Sequence, residues 1–158
     1  MAVQAVRAVV DGKRPIVLIA GGVGTGKTHL LHSAAIELYK RGSFVRVMIY
    51  ADMLSTLRAA INNPEMDYDE ILCNYCYGKR LIIDDIGAGG TASEFGYKIL
   101  ETIICARYGR ELITIMSTNL DIEDADFPER VRSRLKDRSV CYLVLNKGED
   151  YRIKKGKK

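Results

Sequence analysis

The chain has 158 residues and a formal net charge of +4, with 47% hydrophobic and 28% charged residues, values that are ordinary for one globular domain. Its longest apolar runs, such as PIVLIAGG, are too short to cross a bilayer, which excludes a membrane-spanning protein. No signal-peptide pattern begins the chain, so we expect a cytoplasmic protein without a membrane partner. The mild basic excess permits nucleic-acid binding but does not demonstrate it.

Five short runs rich in apolar and β-branched residues predict strands. They are IVLIA (16–20), FVRVMIY (44–50), RLIIDDI (80–86), LITIMS (112–117) and VCYLVL (140–145). Helical patterns lie between them, over 27–41, 52–61, 67–76, 91–108 and part of 127–139, and a lead-in helix is expected over 1–14. This alternation predicts a three-layer α/β fold with a five-stranded, mostly parallel sheet.

Two local signals predict where helices begin and end. Gly42 follows the helix 27–41 and is well placed to end it, because glycine adopts the left-handed conformation of a helix C-terminus. Thr91 and Glu94, in TASE, match a capping box and predict that the helix ending near Tyr108 begins there.

The stretch GGVGTGKT (21–28) lies between the first predicted strand and the helix 27–41, and it fits the pattern G-x-x-x-x-G-K-[ST]. Glycines let backbone N–H groups turn toward a phosphate chain, and the helix N-terminus presents further free N–H groups. Lys27 is placed to reach the β- and γ-phosphates, and the Thr28 hydroxyl to bind Mg²⁺. The candidate ATP/ADP-binding residues are Gly21, Gly22, Val23, Gly24, Thr25, Gly26, Lys27, Thr28 and His29. The alternative is a glycine-rich turn that only joins strand to helix.

An acidic pair follows the third predicted strand, in RLIIDDIG. Ligands of such folds bind beyond the carboxyl ends of the strands, where both acids would lie. Asp84 is therefore the candidate to hold Mg²⁺, directly or through water, and Asp85 the candidate to polarise the attacking water. The alternative is a solvated Asp-Asp turn.

Polar residues also follow the fourth predicted strand, in IMSTNLD. Asn119 would lie near the γ-phosphate if its strand is beside the first, and its amide could donate to phosphate or orient water. A Thr-Asn pair after a strand is also a common turn former, which is the competing interpretation.

The segment FPERVRSRLKDRS (127–139) concentrates basic residues in one short helix and its exit. A spacing of two alternates helix faces, so these residues cannot all serve one site. The segment is either a solvated basic helix, a contact for nucleic-acid phosphates, or the source of an arginine that reaches a nucleotide on a neighbouring subunit. Spacing alone does not choose among them.

Four cysteines are present, and only CNYC (73–76) has a close spacing. A structural zinc site usually uses two such pairs, so we expect reduced thiols rather than a metal centre.

The motifs GGVGTGKT, LIIDDIG, STN, ERVRSRL and GEDYR occur in this order, and together they resemble the AAA+ ATPases of the DnaC/DnaI helicase-loader and IstB transposition-helper group. The resemblance runs from about Pro15 to Arg152. It implies a P-loop NTPase fold of the ASCE class, with GGVGTGKT as Walker A and Asp84 and Asp85 as Walker B. It also implies Asn119 as sensor 1, Arg134 as an arginine finger acting in trans, and a sensor-2-like part for Arg152.

The same resemblance implies a DNA contact. The segment 52–77 resembles the two-helix initiator-specific insertion that lines a single-stranded DNA channel in the family's assemblies. Its candidate contacts are Arg58, Tyr68, Tyr75, Tyr77, Lys79 and Arg80. Five acidic residues interrupt the segment, so the residues alone do not form a strong basic patch.

The chain departs from the family in two ways. Loaders usually carry an N-terminal domain that grips the replicative helicase, and here the first predicted strand begins at residue 16. We expect either a piece of a longer protein or a short phage-type protein, with helicase contact depending on the missing domain. No sizeable C-terminal lid is expected after the last strand, and residues 153–158 are read as a basic tail.

These observations predict an ATPase that functions in DNA replication in a bacterial or phage-infected cell. Its expected partners are a replicative helicase, single-stranded DNA and further copies of itself. Three other functions fit less well: a transposase helper acting on duplex DNA, a small-molecule kinase, and a binding module in which nucleotide is only a switch.

Overall fold

The computed structural model describes residues 1–146, which form six helices and five strands. In chain order these are α1 (Ala2–Val10), β1 (Ile16–Gly21), α2 (Lys27–Lys40), β2 (Arg46–Ile49), α3 (Tyr50–Ile61), α4 (Tyr68–Tyr77), β3 (Arg80–Ile86), α5 (Glu94–Tyr108), β4 (Ile113–Thr118), α6 (Glu129–Leu135) and β5 (Cys141–Asn146). Every predicted strand and helix is therefore present within that range. Arg152, the basic tail 153–158 and the stretch after β5 where no lid was expected lie outside the described residues.

The five strands form one sheet in the order β2-β3-β4-β1-β5, and each pair of neighbours is parallel. The prediction of a mostly parallel sheet is confirmed and sharpened, since no described pair is antiparallel. β4 lies between β1 and β3, so the carboxyl ends of these three strands share one edge of the sheet. That edge brings the glycine loop, the acidic pair and Asn119 together.

Helices cover the sheet on both faces, as the continuous apolar strands predict. In β1 the residues from Ile16 to Ala20 are all buried, and their side chains alternate between two cores. Leu18 packs in the core made with α3, α4, α5 and α6. Val17 and Ile19 pack in the core made with α1 and α2, where α1 accounts for residues 2–10 of the expected lead-in helix. The result is the predicted three-layer arrangement.

Two helix starts differ from the sequence-based expectation. The N-cap of α5 is Ser93, whose hydroxyl accepts a hydrogen bond from Gly96 N, so the capping box at Thr91 is wrong. The Thr91 hydroxyl instead bonds within the preceding turn. Helix α3 begins at Tyr50, the residue that the sequence predicts to end the second strand. The Tyr50 side chain is buried, and its hydroxyl donates to Gly96 O at 2.6 Å.

The end of α2 agrees with its sequence signal. Gly42 has a φ of 72°, and its N–H donates to Tyr39 O at 2.9 Å, which closes the helix as predicted. No helix within residues 1–146 is long and apolar enough to cross a membrane.

Candidate nucleotide-binding site

The glycine loop connects the end of β1 to the start of α2 and requires glycine at specific positions. Gly26, the N-cap of α2, has a φ of 85°, in the left-handed region that other residues rarely adopt. A Cβ atom on Gly21 would lie 2.3 Å from the backbone oxygen of Asn146 in β5, so only glycine fits there. The loop is thus shaped both by its own dihedrals and by the neighbouring strand.

Two hydrogen bonds hold the loop in this shape. The Asn146 side chain, at the end of β5, donates to Thr25 O at 3.0 Å. The Thr25 hydroxyl donates to Gly22 O at 3.0 Å. Sequence reasoning missed Asn146 because its partner lies 121 positions away and no local pattern marks it.

Lys27 is buried, and its ammonium donates three hydrogen bonds. The acceptors are Gly21 O, Gly22 O and Asn119 Oδ1, each at 2.7 Å from Lys27 Nζ. Burial lowers the pKa of Lys27, and the carboxylates of Asp85 and Asp84 act in the opposite direction. The charge is therefore held between the loop and the carboxyl ends of β3 and β4.

The acidic pair lies at an irregularity in β3. Ile83 pairs with Met116 and Ile86 with Thr118, so β3 has one more residue than β4 between these two pairs. This bulge includes Asp85, whose φ of 61° is uncommon for a residue other than glycine. The bulge directs Asp84 and Asp85 to different positions, and no feature of the sequence predicted it.

Ser117 in β4 connects the two acids. Its hydroxyl donates to the carboxylate of Asp84 and accepts from Asp85 N at 3.0 Å. Asp84 and Ser117 are both buried. A serine in STN was visible in the sequence, but its role depends on the pairing of β3 with β4, which the sequence does not specify.

Asn119 joins the lysine to the second acid. Its side-chain oxygen accepts from Lys27, and its nitrogen donates to Asp85 Oδ1 at 2.8 Å. The residue follows β4, which pairs with β1, and this is the arrangement on which its predicted role depended. Residues from three separate strand ends therefore converge as the sequence analysis expected.

These groups line a cavity of about 670 Å³, within the range of small-molecule and cofactor sites. The lining residues are Val23, Gly24, Thr25, Gly26, Lys27, Thr28, His29, Asp85, Ala88, Ser117 and Asn119. Most of the predicted nucleotide-binding residues are among them, and sequence reasoning missed Ala88 and Ser117. Gly21, Gly22 and Asp84 are not among the lining residues, but they accept hydrogen bonds from two residues that are, Lys27 and Ser117.

A magnesium ion would be held here mainly by phosphate oxygens. Residues 1–146 contain no group of three or more His, Cys, Asp or Glu side chains that could hold a metal ion. Mg²⁺ usually takes one or two protein oxygens together with substrate phosphates and waters. Thr28 lines the cavity, so its hydroxyl fits that smaller requirement. Asp84 is buried and is not among the lining residues, so its carboxylate would hold the ion through water, and the ion would neutralise charge on the phosphates.

The predicted arginine finger lies apart from this cavity. Arg134, on α6, is half-buried, with its guanidinium carbon 5.6 Å from the ring centroid of Tyr108. Its Nη1 donates to Arg130 O at 3.0 Å, and Arg134 is not among the residues that line the cavity. The structure thus does not bring Arg134 to the nucleotide site of its own chain.

Its neighbours on α6 are distinguished by their contacts. The Nη2 atom of Arg132 donates to the backbone oxygens of Asp124 and Phe127, at 2.5 and 2.8 Å, so Arg132 fastens α6 to the preceding loop. Arg130 is largely exposed and lies 3.3 Å from Glu101.

The predicted DNA-contact segment corresponds to α3 and α4, and one of its candidates is wrong. Tyr75 is only 2% exposed and belongs to the core, because its ring packs between the helices and the sheet. Tyr68 is partly buried against the same core. Tyr77 is 48% exposed, with the Arg110 guanidinium 4.4 Å from its ring centroid. Only part of the proposed aromatic set is thus available to a ligand.

Comparison with known proteins identifies the family of the chain. The family model described as "IstB-like ATP binding protein" matches residues 2–158. The replicative helicase loader DnaC of Escherichia coli (strain K12) is 28% identical over 138 residues, which cover 86% of this chain and 56% of that protein. The chain thus spans about half the length of the curated relatives it matches.

Solved structures show the same fold. The crystal structure of the DnaC helicase loader has a TM-score of 0.72 at 21% identity and covers 91% of this chain and 87% of that one. The replication initiator DnaA bound to AMPPCP and single-stranded DNA has a TM-score of 0.75 at 24% identity, covering 92% and 45%. At these identities the likeness establishes the fold, which is the α/β P-loop NTPase fold of these AAA+ domains.

Proposed function

The chain belongs to the IstB-like ATP binding protein family, and on that premise we propose that it is an ATP-hydrolysing AAA+ replication factor resembling a helicase loader. The observation that carries the proposal is the convergence of Lys27, Asp85 and Asn119 at one cavity beyond the carboxyl ends of β1, β3 and β4. A turn that only joined strand to helix would not need this convergence.

Each group has a distinct role in the proposed reaction. The backbone N–H groups of the glycine loop and the N-terminus of α2 bind the phosphate chain, and Lys27 adds a positive charge. The Thr28 hydroxyl, and Asp84 through water, would hold Mg²⁺, which would neutralise charge on the phosphates.

Hydrolysis requires a water that attacks the γ-phosphorus while the bond to the β,γ-bridging oxygen breaks, which releases ADP and phosphate. Asp85 orients this water and accepts a hydrogen bond from it. In this proposal Asn119, which bonds to both Lys27 and Asp85, senses or stabilises the γ-phosphate.

We further propose that the site is completed by a neighbouring copy of the chain. Arg134 lies outside the cavity of its own chain, which is compatible with an arginine that acts across a subunit interface. An arginine supplied in trans stabilises transition-state charge and is worth about 10³–10⁵ in rate in other NTPases.

The proposed partners are single-stranded DNA and a replicative helicase in a bacterial or phage-infected cytoplasm. These partners are inferred from similar proteins. DnaC is a replicative helicase loader, and one structure of DnaA is bound to single-stranded DNA. Helicase contact would use a segment beyond the matched AAA+ domain.

A transposase helper is the second candidate, since the matching family model carries the IstB name. Stimulation by duplex rather than single-stranded DNA would favour it.

The proposal is tested by phosphate release from ATP with wild type and Asp85→Asn. Asn keeps the size of the side chain but loses the charge that orients water, so hydrolysis should fall while nucleotide binding persists. Asp69→Asn, at an exposed position of α4, is the matched control. Equal hydrolysis by wild type and Asp85→Asn would refute the assignment, and tight binding without hydrolysis in wild type would leave a nucleotide-switched binding module.

A further inference from the structure

The turn that follows Asp85 is rich in glycine and has the sequence GAGGT (87–91). All three of its glycines have positive φ, with 95° at Gly87. Two weak backbone hydrogen bonds close successive bends, from Ala88 N to Asp85 O at 3.3 Å and from Thr91 N to Ala88 O at 3.2 Å. Glycine-rich backbone has many accessible conformations, so this turn needs a further constraint to hold one shape.

The side chain of Thr91 supplies that constraint. Its hydroxyl accepts from Gly87 N at 2.9 Å and donates to Ala88 O at 2.8 Å. Thr91 is 3% exposed, so water does not compete for these bonds. One buried hydroxyl therefore fixes two peptide groups of the segment that leads directly out of Asp85, and Ala88 itself lines the nucleotide cavity.

Thr91 is in turn anchored by packed backbone. A Cβ atom on Gly96 would lie 2.0 Å from Thr91 O, so the first turn of α5 rests directly on the Thr91 carbonyl. The Gly96 carbonyl accepts the hydrogen bond from the buried hydroxyl of Tyr50 in α3. A shift of the Thr91 carbonyl would therefore press on the first turn of α5, which the Tyr50 hydroxyl of α3 also contacts.

Asp85 needs support on both sides because its own conformation is unfavourable. A non-glycine residue with a φ of 61° persists only where its surroundings over-determine it. On the upstream side, Ser117 Oγ accepts from Asp85 N. On the downstream side, the bonds of Thr91 constrain the next turn.

We propose that Thr91 is a positioning residue for Asp85: its buried hydroxyl locks the turn 87–90 and so holds the Asp85 carboxylate in the nucleotide cavity. This inference rests on the proposed ATPase function. It adds a residue, outside the family's ordered motifs quoted above, on which turnover depends.

The test compares Thr91→Val with Thr91→Ser in steady-state ATP hydrolysis. Valine keeps the shape and loses both hydrogen bonds, whereas serine keeps the hydroxyl. A misplacement near 1 Å can cost about 10²-fold in rate, so we expect kcat to fall about 10- to 100-fold in Thr91→Val, with KM and ATP affinity near wild type. Thr91→Ser should restore kcat, and hydrogen exchange over 86–92 should be faster only in Thr91→Val.

If Thr91 acts only by positioning Asp85, the losses of kcat caused by Thr91→Val and by Asp85→Asn should not add. In an Asp85→Asn background, Thr91→Val should cause no further loss of kcat, whereas a general structural defect would lower it again. If Thr91→Val does not fold, Thr91→Ala removes the same hydroxyl with a smaller side chain and replaces it in the comparison.

Three outcomes would overturn the inference: an unchanged kcat in the hydroxyl-free variant, a serine variant as slow as valine, or an additive loss with Asp85→Asn. Different results would refute the proposed function. If wild type hydrolyses no ATP, or Asp85→Asn is as fast as wild type, the ATPase assignment falls and the inference with it. A slow Asp85→Asn beside a normal Thr91→Val refutes the inference alone.

Discussion

Asn119 donates a hydrogen bond to the carboxylate of Asp85 across 2.8 Å, while its own oxygen accepts from Lys27. One amide thus links the lysine proposed to bind phosphate to the acid proposed to orient water. The two ends of an asparagine differ, so this link requires an amide and not a carboxylate or an apolar group.

Replacing this amide should affect turnover more than binding. We expect Asn119→Ala to lower kcat about 10- to 100-fold, because a preorganised donor at the reacting group is lost. Nucleotide affinity should change much less, and the exposed Asn74→Ala is the matched control in an assay without DNA. A variant with normal kcat and weakened binding would make Asn119 a binding residue instead.

Lys27→Ala should remove productive ATP binding. In the proposed site the ammonium exchanges one of its three protein acceptors for a phosphate oxygen. Losing such a charged hydrogen bond weakens affinity about 10- to 100-fold. Titration with a fluorescent ATP analogue measures this, with Lys40→Ala, exposed at the end of the same helix, as control. Wild-type affinity and turnover in Lys27→Ala would end the P-loop assignment.

Ser117→Ala should slow hydrolysis without abolishing nucleotide binding. The change removes the donor to the buried Asp84 carboxylate and the acceptor of Asp85 N, so both acids lose their alignment. Ser117→Thr keeps the hydroxyl and should retain more activity than alanine. Equal rates for alanine and wild type would show that the acids are held by the bulge alone.

Arg134→Ala should bind nucleotide normally but lose assembly-dependent hydrolysis. Mixing it with Lys27→Ala provides the sharpest test, because one variant keeps its nucleotide site and the other keeps its arginine. If the arginine acts in trans, the mixture should hydrolyse ATP although neither variant does so alone.

Arg138→Ala, exposed beyond the end of α6, serves as the control for Arg134→Ala. If Arg130→Ala or Arg132→Ala produces the defect and Arg134→Ala does not, the finger is misassigned. Arg132→Ala should chiefly destabilise α6, because its guanidinium holds the backbone before that helix.

The sequence predicted the elements and most of the residues that line the cavity, because both depend on local patterns. Apolar runs and a glycine loop are readable within a few residues, and the parallel sheet then brings Lys27, Asp85 and Asn119 to one edge. The roles of Ser117 and Asn146 depend on partners in other strands. No local pattern encodes such partners, so these roles were missed.

Two errors have the same origin. Thr91 matched a capping box by spacing, but its hydroxyl is used by the glycine turn, and Ser93 caps α5 instead. Tyr75 was grouped with possible DNA contacts because it is aromatic and close to basic residues. The Tyr75 side chain is instead buried, because α4 packs this residue into the core against the sheet.

Completion of the site by a neighbouring copy is tested by the specific rate of ATP hydrolysis as a function of protein concentration, with and without single-stranded DNA. We predict a rate per subunit that rises with concentration and rises further with DNA, because an arginine from a neighbouring copy completes the site. A flat, DNA-independent rate would contradict assembly in trans, and a rate near zero despite tight nucleotide binding would contradict the ATPase function of this chain.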